Sequence, residues 1–186
     1  MNQSDRARRL LVSLLLGLAM PATGLKDAPA HQVPDFIKEQ SAFKTREGRI
    51  RESEIRAILD AMEAAANRKD VNGILKYMAP NITIKITVQL GTGAQQLSLS
   101  REQYRQYLQQ GFETTERRSG NYTNLKIQVE PNGQTATAIY TLVEEATLKG
   151  QPGTFVSTSQ ETVKFERIKG QILETAATSN STIEVR

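Results

Sequence analysis

The sequence predicts an α+β domain: one curved antiparallel β-sheet wrapped around three helices, in the order α-α-β-β-α-β-β-β-β, with a conical pocket between sheet and helices. Three patterns carry this prediction. Two consecutive segments, opening near Ser53 and Asp70, repeat the apolar spacing of an amphipathic helix. A strand-like hairpin and a third helical stripe follow them. From Leu125 onward the side chains alternate with period two, interrupted only by turn-forming residues. Helices first and a meander of strands afterwards fit helices gathered on one face of an antiparallel sheet.

In the first segment Ile55, Ile58, Leu59 and Met62 fall at i, i+3, i+4 and i+7, with Ser53 as the expected N-cap. Val71, Ile74, Leu75 and Met78 repeat that spacing; Asp70 is the expected cap and Pro80 closes the segment. The period then changes to two. Ile82, Ile84, Ile86 and Val88 alternate with Thr83, Lys85, Thr87 and Gln89, which describes a strand with one buried and one wet face. Gly91-Thr92-Gly93 turns the chain into a short partner strand over residues 95–99. Ser100, with Gln103 three residues on, forms a capping box for a third helix whose stripe is Tyr104, Tyr107, Leu108 and Phe112. Arg117-Arg118 beyond it reads as helix-end charge in a solvated loop.

The remainder is a meander. Leu125, Ile127 and Val129 alternate before Pro131-Asn132-Gly133, a hairpin turn. Residues 135–148 form a long strand with Ala136, Ala138, Tyr140 and Leu142 on its apolar face. Gly150-Gln151-Pro152-Gly153 turns into residues 154–168, where Phe155, Val163 and Phe165 share a parity. Lys169-Gly170 turns into a last strand from residue 171 to about 178, whose inward parity the pattern leaves open. Meandering strands of this length twist into a strongly curved sheet.

The ends of the chain read differently. Arg6, Arg8 and Arg9 precede an apolar run from Leu10 to Met20, and Ala28-Pro29-Ala30 offers small residues for cleavage, so residues 1–30 are expected to be a signal peptide cut before His31. The apolar run is about half the length of a membrane-spanning helix, so no membrane span is expected after cleavage. No cysteine follows the run to take a lipid. An exported chain without cysteine fits a bacterial periplasm or exterior. Residues 31–52 are expected to be a polar arm or linker, in which Phe36, Ile37, Gln40 and Phe43 fit one short helix. Residues 53–186 are expected to be a single domain, long enough to bury its own core.

Composition narrows the function classes. The net charge is +4, but Arg6, Arg8, Arg9 and Lys26 against Asp5 and Asp27 place half of it in the first thirty residues. The other basic residues are scattered among acids, without the basic, aromatic-interleaved stripe of a nucleic-acid binder. After residue 30, three Asn-x-Ser/Thr sites, at Asn81, Asn121 and Asn180, fit chance in a chain this rich in Ser and Thr.

Helix, helix, hairpin, helix and a four-stranded meander is similar to the nuclear transport factor 2-like superfamily, of cystatin-like architecture, and most closely to its SnoaL-like branch. The likeness covers residues 53–178 and rests on element order together with Glu54-Ile55-Arg56-Ala57-Ile58-Leu59 opening the first helix, Asp70-Val71 opening the second, and Lys169-Gly170-Gln171-Ile172 at the last hairpin. The resemblance implies a pocket between concave sheet and helices and a homodimer formed through the sheet. It also implies two kinds of member: isomerases, dehydratases and hydrolases that use an Asp, or an Asp and a His, with an oxyanion-stabilising Tyr, and members that only bind or assemble.

Against that pattern the decisive observation is an absence. After residue 30 the aspartates are Asp35, Asp60 and Asp70, one in the arm and two on or beside helices, and the single histidine is His31. With no cysteine there is no soft-metal cluster, no thiol nucleophile and no His-based triad, and no metal or cofactor is expected. The remaining candidates for a base are glutamates. Glu161 has the parity of Val163 and Phe165, Glu144 that of Tyr140 and Leu142, and Glu174 that of Ile172. A buried glutamate shifts toward neutrality and serves as a general base, and Tyr140 in mid-strand is placed to donate to an oxyanion. Tyr104 and Tyr107 are candidate ligand contacts beside Tyr140 and Glu161, although a stripe at helical spacing ordinarily packs as core. The expectation is a non-catalytic module that binds a small apolar or amphipathic molecule or acts as a dimeric interaction domain. The alternative is a pocket enzyme using Glu161 or Glu144 with Tyr140.

Overall fold

Helix α1 (Glu52–Asn67) brings Ile55, Ile58 and Leu59 onto one buried face, as their spacing requires. It belongs to a computed structural model that describes residues 48–90 and 93–186. The expected leader and most of the expected arm lie outside the described residues. The arm's last residues do not. Ile50 is 2% exposed and packs with Ile55, Leu59 and Phe165, so the packed domain begins before Ser53. Arg49 Nη1 donates to the Pro131 carbonyl at 3.0 Å, and the Ile50 N–H donates to the Gly133 carbonyl at 2.8 Å. Gly133 sits at φ 68° with the Arg49 side chain 2.6 Å from where a Cβ would stand, so this turn takes glycine for space as well as for backbone conformation.

The N-cap of α1 is Arg51, not the expected Ser53, because the Glu54 carboxylate reaches back to accept the Arg51 N–H at 2.9 Å. Helix α2 (Val71–Leu75) is capped by Asp70 as expected, its carboxylate accepting from the Gly73 N–H at 2.9 Å. It is shorter than its apolar stripe. The Tyr77 carbonyl accepts the Glu174 N–H at 2.8 Å, which draws Met78 into the sheet as the first residue of β1 (Met78–Leu90). Then come β2 (Gly93–Ser100) and α3 (Arg101–Thr114), the latter with the expected capping box between Ser100 and Gln103.

The meander consists of β3 (Thr115–Val129), β4 (Thr135–Leu148), β5 (Phe155–Ile168) and β6 (Gln171–Val185). The six strands form one sheet in the order β2-β1-β6-β5-β4-β3. All neighbours are antiparallel except β1 and β6, which pair in parallel, so the expected antiparallel sheet is a mixed one. The cause is the crossover through α3. It starts the meander at the far edge, and the fourth strand returns beside β1 running the same way.

Two strands extend beyond their expected limits. β3 begins ten residues before Leu125, so Arg117 and Arg118 are strand residues and not a solvated loop. β6 runs on to Val185. Each carries a bulge that hides its parity: β3 gains a residue between Thr123 and Lys126, where Asn124 stands at φ 55°, and β6 gains Thr175 opposite the Lys164–Phe165 step.

The core forms two main clusters at the two sides of a hollow. One lies under α1 and joins Ile50, Ile55 and Leu59 to Ala136, Ala138, Val163 and Phe165. The other joins Ala65, Ile74 and Leu75 to Ile82, Ile84, Ile86 and Val88, with the α3 stripe packed against it. Full burial of each large aliphatic or Phe side chain contributes about 1.5–3 kcal/mol, and here that burial holds the helices over the concave face. Among the described residues no helix is long and apolar enough to cross a membrane.

Candidate functional site

Antiparallel register decides which side chains meet across the concave face. Tyr140 on β4 stands opposite Glu161 on β5, Glu161 opposite Ser179 on β6, and Ser179 opposite Ile86 on β1. The next inward row is Leu142, Ser159, Ser181 and Val88, and beyond it Glu144 faces Ser157. In the other direction Ala138, Val163 and Ala177 form an apolar row, followed by Ala136, Phe165 and Glu174. The sheet therefore presents a polar strip flanked by apolar side chains. Helices α1 and α3 roof it with Leu59, Met62 and Glu63 from one and Tyr104, Tyr107 and Phe112 from the other, leaving a cavity of about 290 Å³.

All the residues singled out in the sequence lie on this cavity: Tyr104, Tyr107, Tyr140, Glu144, Glu161 and Glu174. Their roles differ. Glu161 is 9% exposed, and burial pushes its carboxyl group up to about 7 even though Ser179 Oγ donates to it at 2.6 Å, which favours the charged form. Glu174 is 2% exposed and is pushed up to about 8, first by burial and then by the nearby charge of Glu161. Glu144 is a different case. One oxygen of its carboxylate accepts a hydrogen bond from Arg118, which pairs it with a guanidinium. That ion pair removes Glu144 as a free base.

The tyrosines are held as hydroxyls. Burial raises Tyr140 well above its ordinary value, reinforced by the charges of Glu174 and Glu161, and Tyr104 rises for the same first reason. Tyr107 is pushed up to about 12 by burial and then by Glu161. Tyr104 and Tyr107 stack with ring centroids 5.9 Å apart, and Tyr122 meets Tyr140 edge to face at 5.7 Å. Tyr122 donates its hydroxyl proton to Asp60, on the outer side of α1. The hydroxyls of Ser159 and Ser181 are 2.8 Å apart and those of Ser179 and Ser181 are 3.2 Å apart, so the polar strip is one connected network ending on Glu161.

Sequence reasoning missed Arg118, Tyr122 and the serine strip. Arg118 lines the cavity, donates to Asn67 Oδ1 at 3.1 Å, and lies 5.9 Å from the centroid of Phe112. Its guanidinium is lowered from its ordinary value by burial. Arg118, Gly120 and Tyr122 share a parity that would have marked them as inward, but the bulge at Asn124 disconnects that parity from Leu125 and Ile127. Among the described residues no group of three or more His, Cys, Asp or Glu side chains is placed to hold a metal ion.

The SnoaL-like domain family matches residues 55–171, more than half of the chain. The chain belongs to that family. Solved structures agree with this SnoaL-like assignment at the level of fold. A putative scytalone dehydratase from Novosphingobium aromaticivorans superposes with a TM-score of 0.59 at 9% identity, over 69% of this chain and 81% of that one. The hexachlorocyclohexane dehydrochlorinase LinA-type3 from Novosphingobium barchaimii gives 0.59 at 10% identity, over 72% and 88%. An NTF2-like protein of unknown function from Pseudomonas putida gives 0.53 at 20% identity, over 69% and 84%. No curated protein matches the chain in sequence.

Glu161 and Glu174 make the stability of this SnoaL-like domain depend on pH with a definite sign. The folded chain holds protons that the unfolded chain, with glutamates near 4.5, releases, so their contribution is complete below 4.5 and is lost as pH rises through about 7 and about 8. Urea unfolding is expected to show stability falling by about 4 kcal/mol between pH 6 and pH 9. Glu174→Gln, which keeps the neutral shape, is expected to flatten most of that slope and to exceed the parent at pH 9; an unchanged slope in the variant would contradict this placement of the proton.

Proposed function

We propose that this SnoaL-like domain is a binding module for one small, largely apolar molecule held between the concave sheet and the roof of α1 and α3. The observation that carries this reading is the cavity itself: about 290 Å³ remains unfilled beside two well-packed core clusters, with tyrosines and apolar side chains on its walls and a hydrogen-bonded polar strip on its floor. That volume lies at the small end of ligand sites, and the pattern of apolar walls with a few convergent polar groups is what such sites share. The chain has no tryptophan, so a neutral apolar fluorophore such as N-phenyl-1-naphthylamine reports occupancy cleanly. Leu142→Trp, at a half-buried lining position, is expected to weaken that probe by about tenfold or more with little change in unfolding temperature. Undiminished probe binding in the variant would place the probe elsewhere.

A second reading, that of a pocket enzyme, is favoured by one observation: Tyr140 and Glu161 face each other across neighbouring strands at the cavity, a hydroxyl donor beside a carboxyl group near neutrality. Two of the structural neighbours carry the names of a dehydratase and a dehydrochlorinase. On this reading Glu161 removes the proton and Tyr140 steadies the oxyanion. Turnover of an isomerase, dehydratase or hydrolase substrate panel would then rise through an apparent pKa of about 7 and fall by about a hundredfold or more in Glu161→Gln. Activity that survives this variant would sink the reading.

Export and dimerisation belong to the same proposal. The basic start, apolar run and Ala28-Pro29-Ala30 support a leader, and the threonine-rich outer face of β5 and β6, with Thr158, Thr162, Asn180 and Thr182 exposed, supports pairing of two sheets. Protein recovered outside the bacterial cytoplasm is expected to begin at His31 and to scatter light as two copies. An intact first residue, or a monomer's mass, would contradict the respective half.

A further inference from the structure

We propose that the ligand is an organic cation: a small ammonium compound with an apolar body, its charge directed toward Glu161 and Glu174 and its body against the tyrosine rings. This deepens the binding reading and rests on it. The first observation is an imbalance of charge. The cavity lining carries four carboxyl groups, on Glu63, Glu144, Glu161 and Glu174, and one base, Arg118. Arg118 is already engaged, through one terminal nitrogen with Glu144 and through the other with Asn67 Oδ1. Glu63 on α1 also lies in the field of Arg118, so two carboxyl groups, Glu161 on β5 and Glu174 on β6, face the hollow without a basic partner.

The second observation concerns Glu174 alone. It is 2% exposed, lines the hollow, and its carboxyl group has neither a hydrogen-bond nor an ion-pair partner among the described residues. The carboxyl group can therefore be satisfied only from the hollow it lines, and a donor brought by the ligand would do so. An anion entering the hollow would meet uncompensated carboxyls. A neutral molecule would leave them as they are. A bare metal ion does not suit the arrangement, because no three acidic side chains among the described residues come together to hold one.

The third observation is aromatic. Tyr104 and Tyr107 from α3, Tyr122 from β3 and Tyr140 from β4 all line the cavity, paired at 5.9 and 5.7 Å. Ring faces attract an ammonium group, more strongly when water is excluded. Burial keeps the Tyr104, Tyr107 and Tyr140 hydroxyls protonated, so these rings add no charge of their own, and Arg118 stays charged across the same range. Glu63 is itself raised, by burial and by Asp60. Cation and proton therefore compete for Glu161 and Glu174, and affinity for the cation rises with pH through about 7 and about 8.

The test uses three probes of one shape and three charges, 2-phenylethylammonium, 2-phenylethanol and 3-phenylpropanoate, titrated calorimetrically into the full chain at pH 5.5 and 8.5. At pH 8.5 the ammonium probe is expected to bind about tenfold or more tightly than the alcohol, with the carboxylate weakest; at pH 5.5 the advantage over the alcohol shrinks below about threefold. Glu174→Gln is expected to cost the ammonium probe about tenfold at pH 8.5 and to leave the alcohol within about twofold, and Glu161→Gln gives the same comparison should the first variant fail to fold. Equal binding of ammonium and alcohol at pH 8.5, or tighter binding of the carboxylate, would overturn the cation while the pocket reading stands. Binding by none of the three would contradict both.

Discussion

Cross-strand register at the middle of the sheet governs everything inside the hollow. Tyr140, Glu161 and Ser179 lie in one row because Ala138, Val163 and Ala177 lie in the next, and those small and branched apolar side chains are packed under α1. A slip of one residue between β4 and β5 would turn Val163 and Phe165 to solvent and carry Thr162 and Lys164 inward. The loss of two buried apolar side chains, at about 1.5–3 kcal/mol each, makes that alternative uncompetitive. The polar strip is therefore held in place by its apolar neighbours, and no ion pair along the strip itself is needed to fix it.

What the register holds in place is expensive. A valine or isoleucine at Glu161 or Glu174 would fill space beside Tyr140 and Phe165 without the burden of two carboxyl groups held near neutrality. Ser159, Ser179 and Ser181 are small and hydrogen-bonded to one another or to Glu161, so they preserve open volume where larger apolar side chains would close it. A domain selected for stability alone has no use for either feature. Both are consistent with a cavity kept open and polar for something that enters it, and the departure from local packing logic falls where function is expected to lie.

Much of this was legible in the sequence. Alternation along β4 and β5 was enough to put Tyr140, Glu144 and Glu161 on the concave face, and the helical stripe was enough to put Tyr104 and Tyr107 over it. What escaped did so for identifiable reasons. The first half of β3 has almost no apolar residue, since its inward positions are Arg118, Gly120 and Tyr122, and Asn124 at positive φ breaks their phase with Leu125. Thr175 does the same to β6, turning Glu174 inward on one side of the bulge and Ala177 and Ser179 inward on the other. Period-two reasoning fails wherever one extra residue enters a strand. The ion pair of Arg118 with Glu144 lies beyond sequence reasoning for a further reason, because it joins strands whose register depends on that same bulge.

Two glutamates share one hollow, and their burial holds their protons near neutral pH. Carbon NMR of the side-chain carboxyls in a uniformly labelled chain, followed from pH 3 to pH 10, tests it most directly. The structure predicts two resonances that titrate with midpoints at about 7 and about 8, the first missing in Glu161→Gln and the second in Glu174→Gln. Midpoints near 4.5 for every glutamate in the chain would contradict it.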